Sequence, residues 1–413
     1  MTEISTEYRG EALGPRFFAD PHRVYQEWAE RGDVHGVGAP GGGRSWVVTG
    51  YAECRRALTD PRLRKDFDGA NKLLRSGRHD PPVDSNFPDL ASHMLNADQP
   101  DHTRLRRIVG RYFTPRAAEQ LRPWIRETAD RLLTDLAGHD EVDLIEAYAG
   151  ALPMHVMCKV LGMPYAEGNE LRRWIPAVQS VGTDERRTEA LTKLVDHLTA
   201  LIHRRRIEPG DDVVSALLHA DSDERLTEHE LMSMIFLLLV AGHETTVNLI
   251  GNAVLALLCH PAHLAALIAE PAGIPTAIEE FLRYDGPVNI ASVRYTNCPV
   301  EFGGREIPAD EFVFVSLSAA NRDPRKFSAP HNLEFERNTT GHLAFGHGIH
   351  YCLGAPLARV EADVALTALL ARYPDIRLGC DYDDVRWQQS VMRGLVRLPV
   401  RLDSSSCPVG SSE

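Results

Sequence analysis

The sequence predicts a mainly α-helical protein with a small β-rich region, and three observations carry that prediction. Helical periodicity dominates from Asp101 to Tyr284. Inside that stretch, Thr227 followed by Glu230 forms a capping box ahead of an apolar run that meets no proline until Pro261. Short β-branched and aromatic pieces gather around Trp46 and again after Pro287.

Taken in order, Asp20 and Pro21 open a helix through Trp28, and Ser45–Thr49 reads as a strand before Gly50. Asp66 to Asn96 is a long Pro- and Asp-containing loop of weak periodicity, the kind that serves as a lid or stays disordered. Helices follow at Arg104–Tyr112, Arg116–Ala137, Ile145–Leu161 and Glu189–Arg206. The helix capped by Thr227 has room for about 30 residues, or about 45 Å. Strand-like pieces come at Arg294–Thr296, Val300–Phe302 and Phe312–Leu317, then a last helix at Leu357–Tyr373 and a hairpin-like end.

A chain of 413 residues, 43% hydrophobic and 25% charged, can bury a core large enough to enclose a ligand. The net charge of −13, without a Lys/Arg-rich run, argues against nucleic acid as a partner. Seven scattered cysteines without a C-x-x-C pair fit a reducing compartment better than a disulfide framework. Met1 to Gly10 is too polar for a signal or anchor. The most apolar stretch, Leu231 to Gly242, reads as a buried core helix rather than a membrane span, which needs roughly 20 residues.

The most informative segment is Phe345-Gly346-His347-Gly348-Ile349-His350-Tyr351-Cys352-Leu353-Gly354. Cys352 stands just before the last helix, which Pro356 helps to start. Backbone N–H groups and the positive helix end are therefore expected to lower its thiol pKa. Gly346, Gly348 and Gly354 permit tight turns and close approach to a flat ligand. Beside the apolar Phe345, such a thiolate suits a haem iron, where its electron donation favours O–O cleavage. Two other readings remain open on these residues. One is a buried cysteine in a glycine-rich turn; the other is a zinc site from His342, His347, His350 and Cys352.

Ala241-Gly242-His243-Glu244-Thr245-Thr246 puts small and polar residues into an apolar helix, where polar groups are costly unless paired or used. Threonine back-bonding and Gly242 favour a bend, which would open a groove for dioxygen above a haem. Thr245 would then position a proton-delivering water, and Glu244 would link it to solvent. Taken alone, such a segment is more often a helix–helix packing site. Glu280-x-x-Arg283 places a pair on one helix face, with Arg337 as a structural third member. The two propionates of a haem need donors. His102 and Arg106, four apart, converge on one group, and Arg294 and His350 are further candidates.

Together these segments resemble the cytochromes P-450, specifically the bacterial soluble class, from Trp46 to Leu402. The resemblance implies a triangular helical prism with a long central helix over the haem, built as a single domain of residues 1–413 with 404–413 a disordered tail. It implies haem b (iron protoporphyrin IX) bound through Cys352, with Phe345 packed against the thiolate and Gly354 and Ala241 beside the cofactor. His102, Arg106, Arg294 and His350 then hold the propionates, Glu244 and Thr245 activate oxygen, and Glu280, Arg283 and Arg337 form a structural triad. Many members have Asp where Glu244 stands.

The run from Ala241 to Ile250 looks most like actinobacterial enzymes that hydroxylate macrolides, other polyketides or sterol-like molecules. The implied activity is dioxygen-dependent hydroxylation or epoxidation of a bulky apolar natural product in antibiotic or other secondary metabolism. Oxidative coupling, peroxide-driven oxidation and haem carriage without turnover are the alternatives. Substrate contacts are expected from Asp66–Asn96, Trp174–Thr188, Val240, Ala241, Val288, Ile290, Val293, Val391 and Met392. With no flavin or iron–sulfur segment to read, electrons are expected from a ferredoxin and its NAD(P)H-dependent reductase. Since the net charge would repel an acidic ferredoxin, docking is expected on Arg106, Arg107, Arg111 and Arg359. The expected state is a cytoplasmic monomer without membrane or nucleic-acid partners.

Overall fold

The computed structural model describes residues 13–38, 44–76, 90–179, 185–221 and 225–402. The tail expected to be disordered lies outside these residues, as do 77–89 and 180–184 of the two segments expected to touch substrate. Helices dominate, as predicted, with small sheets beside them.

The capping box is formed: Thr227 accepts from the Glu230 N–H and Glu230 accepts from the Thr227 N–H, and together they start a helix of 32 residues, Glu228–Cys259. It stops before Pro261 and is buried along most of its length, packed against the helix Ala151–Leu161 and the last helix, Ala355–Arg372. Its apolar character extends beyond the stretch from Leu231 to Gly242. By length and composition it is long and apolar enough to cross a membrane, but 72% of its most apolar 18-residue window is buried inside the protein. A core helix is the consistent account, because apolar residues on every face need protein on every face.

Other boundaries moved toward their caps. The predicted Arg104–Tyr112 is Asp101–Gly110, and Arg116–Ala137 is Pro115–Asp135, where Thr114 accepts from Ala117 N–H. Glu189–Arg206 begins earlier, as Glu185–Ile207. The predicted helix Ile145–Leu161 is divided into a π-helical turn, Ile145–Ala149, and a helix, Ala151–Leu161. The expected loop from Asp66 contains a helix, Phe67–Arg75, capped by Asp66 accepting from Gly69 N–H.

The main sheet joins β1 (Val34–Gly38), β2 (Arg44–Val48), β3 (Leu63–Arg64), β4 (Arg294–Thr296) and β5 (Phe312–Val315), in the spatial order β1-β2-β5-β4-β3. Only the β2–β5 pair is parallel. The β3–β4 register, Arg64 opposite Tyr295, brings Lys65 alongside Arg294 at the far edge of the sheet. That edge supplies two of the charges of the candidate site.

Candidate active site

Cys352 lies between a 3-10 turn, Gly348–His350, and the last helix. Its N–H donates to Phe345 O at 2.8 Å, closing the loop. Gly346 and Gly348 have φ of 73° and 74°, and a Cβ on Gly348 would lie 2.8 Å from Thr59 Cγ2, so both need glycine. Gly354 differs from the expectation: its φ of −79° is ordinary, and a Cβ there would meet Cys352 Sγ only at 3.9 Å. The Phe345 ring lies under the Arg359 guanidinium, 4.4 Å from its centroid.

The expected lowering of the Cys352 thiol pKa is overturned. The residue keeps an exposed surface, yet the protein around its sulfur pushes the pKa up, against the N–H groups of Gly354 and Ala355 and the charges of Arg106 and Arg359. Burial outweighs the helix end here. The zinc reading is dispersed by geometry. His342 Nε2 bonds Glu279 at 3.0 Å, His347 Nε2 lies 3.3 Å from Arg55, and no group of three potential metal ligands forms among the described residues.

Beside the loop, basic side chains converge. The rings of His102 and His350 are 4.3 Å apart. Both ring nitrogens of His102 and Nε2 of His350 are buried without a hydrogen-bond partner. Arg294 is buried and, among the described residues, donates a hydrogen bond only to Ser292 O, at 2.9 Å. The half-buried Arg106, one turn after His102, acts electrostatically on Cys352. Sequence reasoning missed a fifth member, Lys65, which is buried with its Nζ 2.7 Å from Ser292 Oγ. Burial and the four neighbours Lys65, His102, Arg294 and Arg106 push His350 down to about 2, while burial and Asp98's attraction leave Arg294 at about 10. No carboxylate among the described residues hydrogen-bonds any of these five side chains; Asp98 instead takes the Lys65 and Asp66 N–H groups and Arg64. Buried cations and unpaired imidazoles at this density call for an anionic group, and the two carboxylates of a haem beside Cys352 fit.

On the central helix, an accessible strip interrupts the burial: Ala241 is exposed, and Val240, Gly242 and Thr245 are half-buried. Thr245 Oγ1 donates to Ala241 O at 2.7 Å and Thr246 Oγ1 to Gly242 O at 3.3 Å. These back-bonds were expected, but the helix runs unbroken through them. Gly242 serves packing, since a Cβ there would lie 2.5 Å from Met157 Sδ on the neighbouring helix. Glu244, the expected link to solvent, is nearly buried. It is 6% exposed and accepts from Gln388 Nε2 at 3.0 Å, and burial raises its pKa against that hydrogen bond. His243, pushed down to about 4 by burial, lies 3.1 Å from Gly150 O.

The expected ion pair is formed and wholly buried. Arg283 donates twice to Glu280 at 2.7 Å, and Arg337 Nε reaches Glu280 Oε1 at 3.2 Å. The spare guanidinium donors end on Asn321, Pro330, Asn332 and Ala329 carbonyls, which fastens the segment preceding the cysteine loop.

Of the expected substrate contacts, Val288 and Met392 form an isolated bridge, Val391 is exposed, and Val240, Val293 and Met392 are half-buried. Ile290 is a correction: it is 2% exposed and packs in a cluster with Phe17, Trp28 and Phe314. The docking patch also shrinks. Glu279 takes Arg359 at 2.6 and 2.9 Å, while Arg107 and Arg111 lie exposed at the surface. A separate hollow of about 410 Å³ is lined by Cys158, Gly162, Arg204 and Arg205; those arginines are paired with Glu167 and Asp212.

Comparison with known proteins bears on this geometry. The family described as Cytochrome P450 matches residues 274–375, a stretch that includes Glu280, Arg283, Arg337 and Cys352. Cytochrome P450 107B1 of Saccharopolyspora erythraea is 47% identical over 393 residues, covering 94% of this chain and 97% of that protein. The 6-deoxyerythronolide B hydroxylase of the same organism is 40% identical over 397 residues, with coverage of 94% and 97%. Among solved structures, the tirandamycin C-bound P450 monooxygenase TamI matches with a TM-score of 0.90 at 44% identity, over 95% of this chain and 100% of that one.

Proposed function

The chain belongs to the cytochrome P450 family and is a monooxygenase, and from that premise we propose that it hydroxylates or epoxidises a bulky polyketide-type natural product. The observation that carries the reading is the set of five basic side chains beside Cys352, with no carboxylate bonded to them among the described residues. The substrate class rests on the relatives, one named for 6-deoxyerythronolide B and one bound to tirandamycin C.

A thiolate-ligated haem, here haem b, supplies the electron transfer and oxygen chemistry when bound. Cys352 provides the thiolate, on a loop closed by its own N–H to Phe345 O. His102, Arg106, Arg294, His350 and Lys65 hold the propionates, whose charge offsets the mutual repulsion of Lys65 and Arg294. Ala241 offers the smallest chiral side chain on the accessible strip of the central helix, where a flat ring must approach closely. Thr245, its proton already given to Ala241 O, has lone pairs with which to orient a water. Burial lifts the Glu244 pKa, so the carboxyl holds its proton closer to neutral pH, the state from which it can donate. Glu280, Arg283 and Arg337 fasten the segment leading to the loop. Val240, Val288, Val391 and Met392 are the apolar contacts for substrate. Electrons arrive from redox partner proteins, which we propose are a ferredoxin and its reductase docking near Arg107 and Arg111. The setting we propose is a cytoplasmic monomer built as one domain.

Isotopically heavy dioxygen, supplied with ferredoxin, reductase and a panel of macrolide and polyketide lactones, tests the reading. One heavy oxygen atom in the product, lost in Cys352→Ala, is expected. Ligand binding without oxygen transfer across the panel would instead point to haem carriage.

A further inference from the structure

The central helix carries a polar stripe that the oxygen chemistry only partly uses. Glu244, Asn248 and Asn252 recur every four residues on a buried helix, so they share one face. All three meet the hairpin 386–396. Gln388 Nε2 donates to Glu244 Oε1 at 3.0 Å. A Cβ on Gly394 would sit 2.0 Å from Asn248 Oδ1, so the hairpin backbone presses directly on that amide. Asn252 Nδ2 donates to Arg393 O at 2.8 Å and to Asp285 O at 3.0 Å.

The hairpin is itself rigidly held. Trp387 and Leu395 form a bridge, and the Arg393 guanidinium lies 3.2 Å from the centroid of the Trp387 ring while its Nε bonds Asp285 at 3.1 Å. Gln388 is fixed at both ends, its N–H donating to Gly394 O at 2.9 Å and its amide lying between Glu244 and Leu395 O, the latter at 3.4 Å. Among the described residues, the polar group recorded near the other Glu244 oxygen is His243 Nδ1, at 4.0 Å and outside hydrogen-bond reach. One amide N–H thus decides which way this carboxyl points.

We propose that Gln388 is a positioning residue for the reaction: its amide, held by the hairpin 386–396, orients the Glu244 carboxyl for proton delivery. The proposal rests on the reading of Glu244 given above. A buried hydrogen bond to a carboxyl is directional, and losing it frees the side chain to rotate among its staggered conformers. Proton delivery that depends on orientation then falters, and reducing equivalents are diverted to peroxide, two electrons and two protons reducing dioxygen to hydrogen peroxide instead of product and water.

The test compares wild type, Gln388→Leu, Glu244→Gln and the double variant, all haem-loaded. Product per NAD(P)H, peroxide release, the solvent isotope effect on product formation and the ligand Kd from spectral titration are measured, with unfolding midpoints for the same four proteins. In Gln388→Leu, product per NAD(P)H is expected to fall about five-fold, the weight of one buried hydrogen bond. Peroxide and the isotope effect rise while Kd holds. In the Glu244→Gln background the same substitution should change coupling no further, and the unfolding midpoints should be non-additive. Unchanged coupling and isotope effect in Gln388→Leu, with Glu244→Gln uncoupled, would overturn the proposal alone. Normal coupling in Glu244→Gln would overturn the reading of Glu244 and the proposal with it. Should Gln388→Leu not fold, Gln388→Glu keeps the size but replaces the donor by an acceptor; it must uncouple as well, and normal coupling there overturns the proposal.

Discussion

At the scale of single residues, unpaired polarity locates the site more sharply than any motif. The buried His102 and the half-buried His350 carry buried, unpartnered nitrogens with ring centroids 4.3 Å apart, an arrangement that an anion would complete. Lys65→Met should therefore keep the fold and weaken haem retention about ten-fold or more, the weight of a charge-assisted hydrogen bond; haem transfer to a scavenging apoprotein checks it. Retention equal to wild type would remove Lys65 from the set. His102 and Arg106 were legible by helical spacing and His350 by the cysteine loop, while Arg294 was named because an arginine suits carboxylates. Lys65 was not, because Leu63-Arg64-Lys65-Asp66 looks like any charged turn until β3 pairs with β4. Cys352 teaches the converse: its position before a helix was legible, but the desolvation of its sulfur, which reverses the pKa shift, was not. The fully buried Glu280–Arg283 pair makes its own prediction. Arg283→Met takes the two-pronged partner from a buried carboxylate and leaves it Arg337 Nε at 3.2 Å, and the urea midpoint should report a loss of about 3–5 kcal/mol. A loss below about 1 kcal/mol, that of a surface pair, would contradict this account.

At the scale of elements, local signals predicted what local chemistry controls. Thr227 and Glu230 announced the central helix, and the cap forms as read. The helix Phe67–Arg75 escaped because Asp68, Gly69 and Asn71 lower its propensity, while its support comes from elsewhere: Asp66 caps it and accepts from Tyr295 Oη at 2.5 Å. Ile290 was assigned to the pocket wall since an irregular segment carries no periodicity to say which side faces inward. Glycines inside elements report close approach rather than softness. Gly394→Ala should cost about 1–3 kcal/mol, because the buried Asn248 amide has nowhere to retreat. Adding Asn248→Ala should recover part of the loss in the denaturation midpoint; strictly additive losses would show that the two do not touch.

At the scale of the whole molecule, buried histidines set an acid limit. His22, His93, His155 and His243 are each pushed down to about 4, chiefly by burial, from an ordinary 6.5. Between those values the unfolded chain binds more protons, so their contribution is complete above pH 6.5 and is lost as pH falls toward 4. The urea midpoint should drop between pH 7 and pH 5, and His243→Gln should flatten that slope; a midpoint independent of pH over this range would contradict it. The family and the helical architecture were legible because the cysteine loop, the Glu244–Thr245 pair and the Glu280–Arg283 pair are each confined to a few neighbouring residues. The substrate was not, since Val288, Val391 and Met392, the contacts we propose for it, meet only through long-range pairing. The most direct test of the central claim is the absorption spectrum of the reduced protein under carbon monoxide, for wild type and Cys352→Ala. A strongly red-shifted Soret band in the wild type, absent from a folded Cys352→Ala, is the predicted result. A folded wild type without that band, or a variant that keeps it, would contradict thiolate ligation by Cys352.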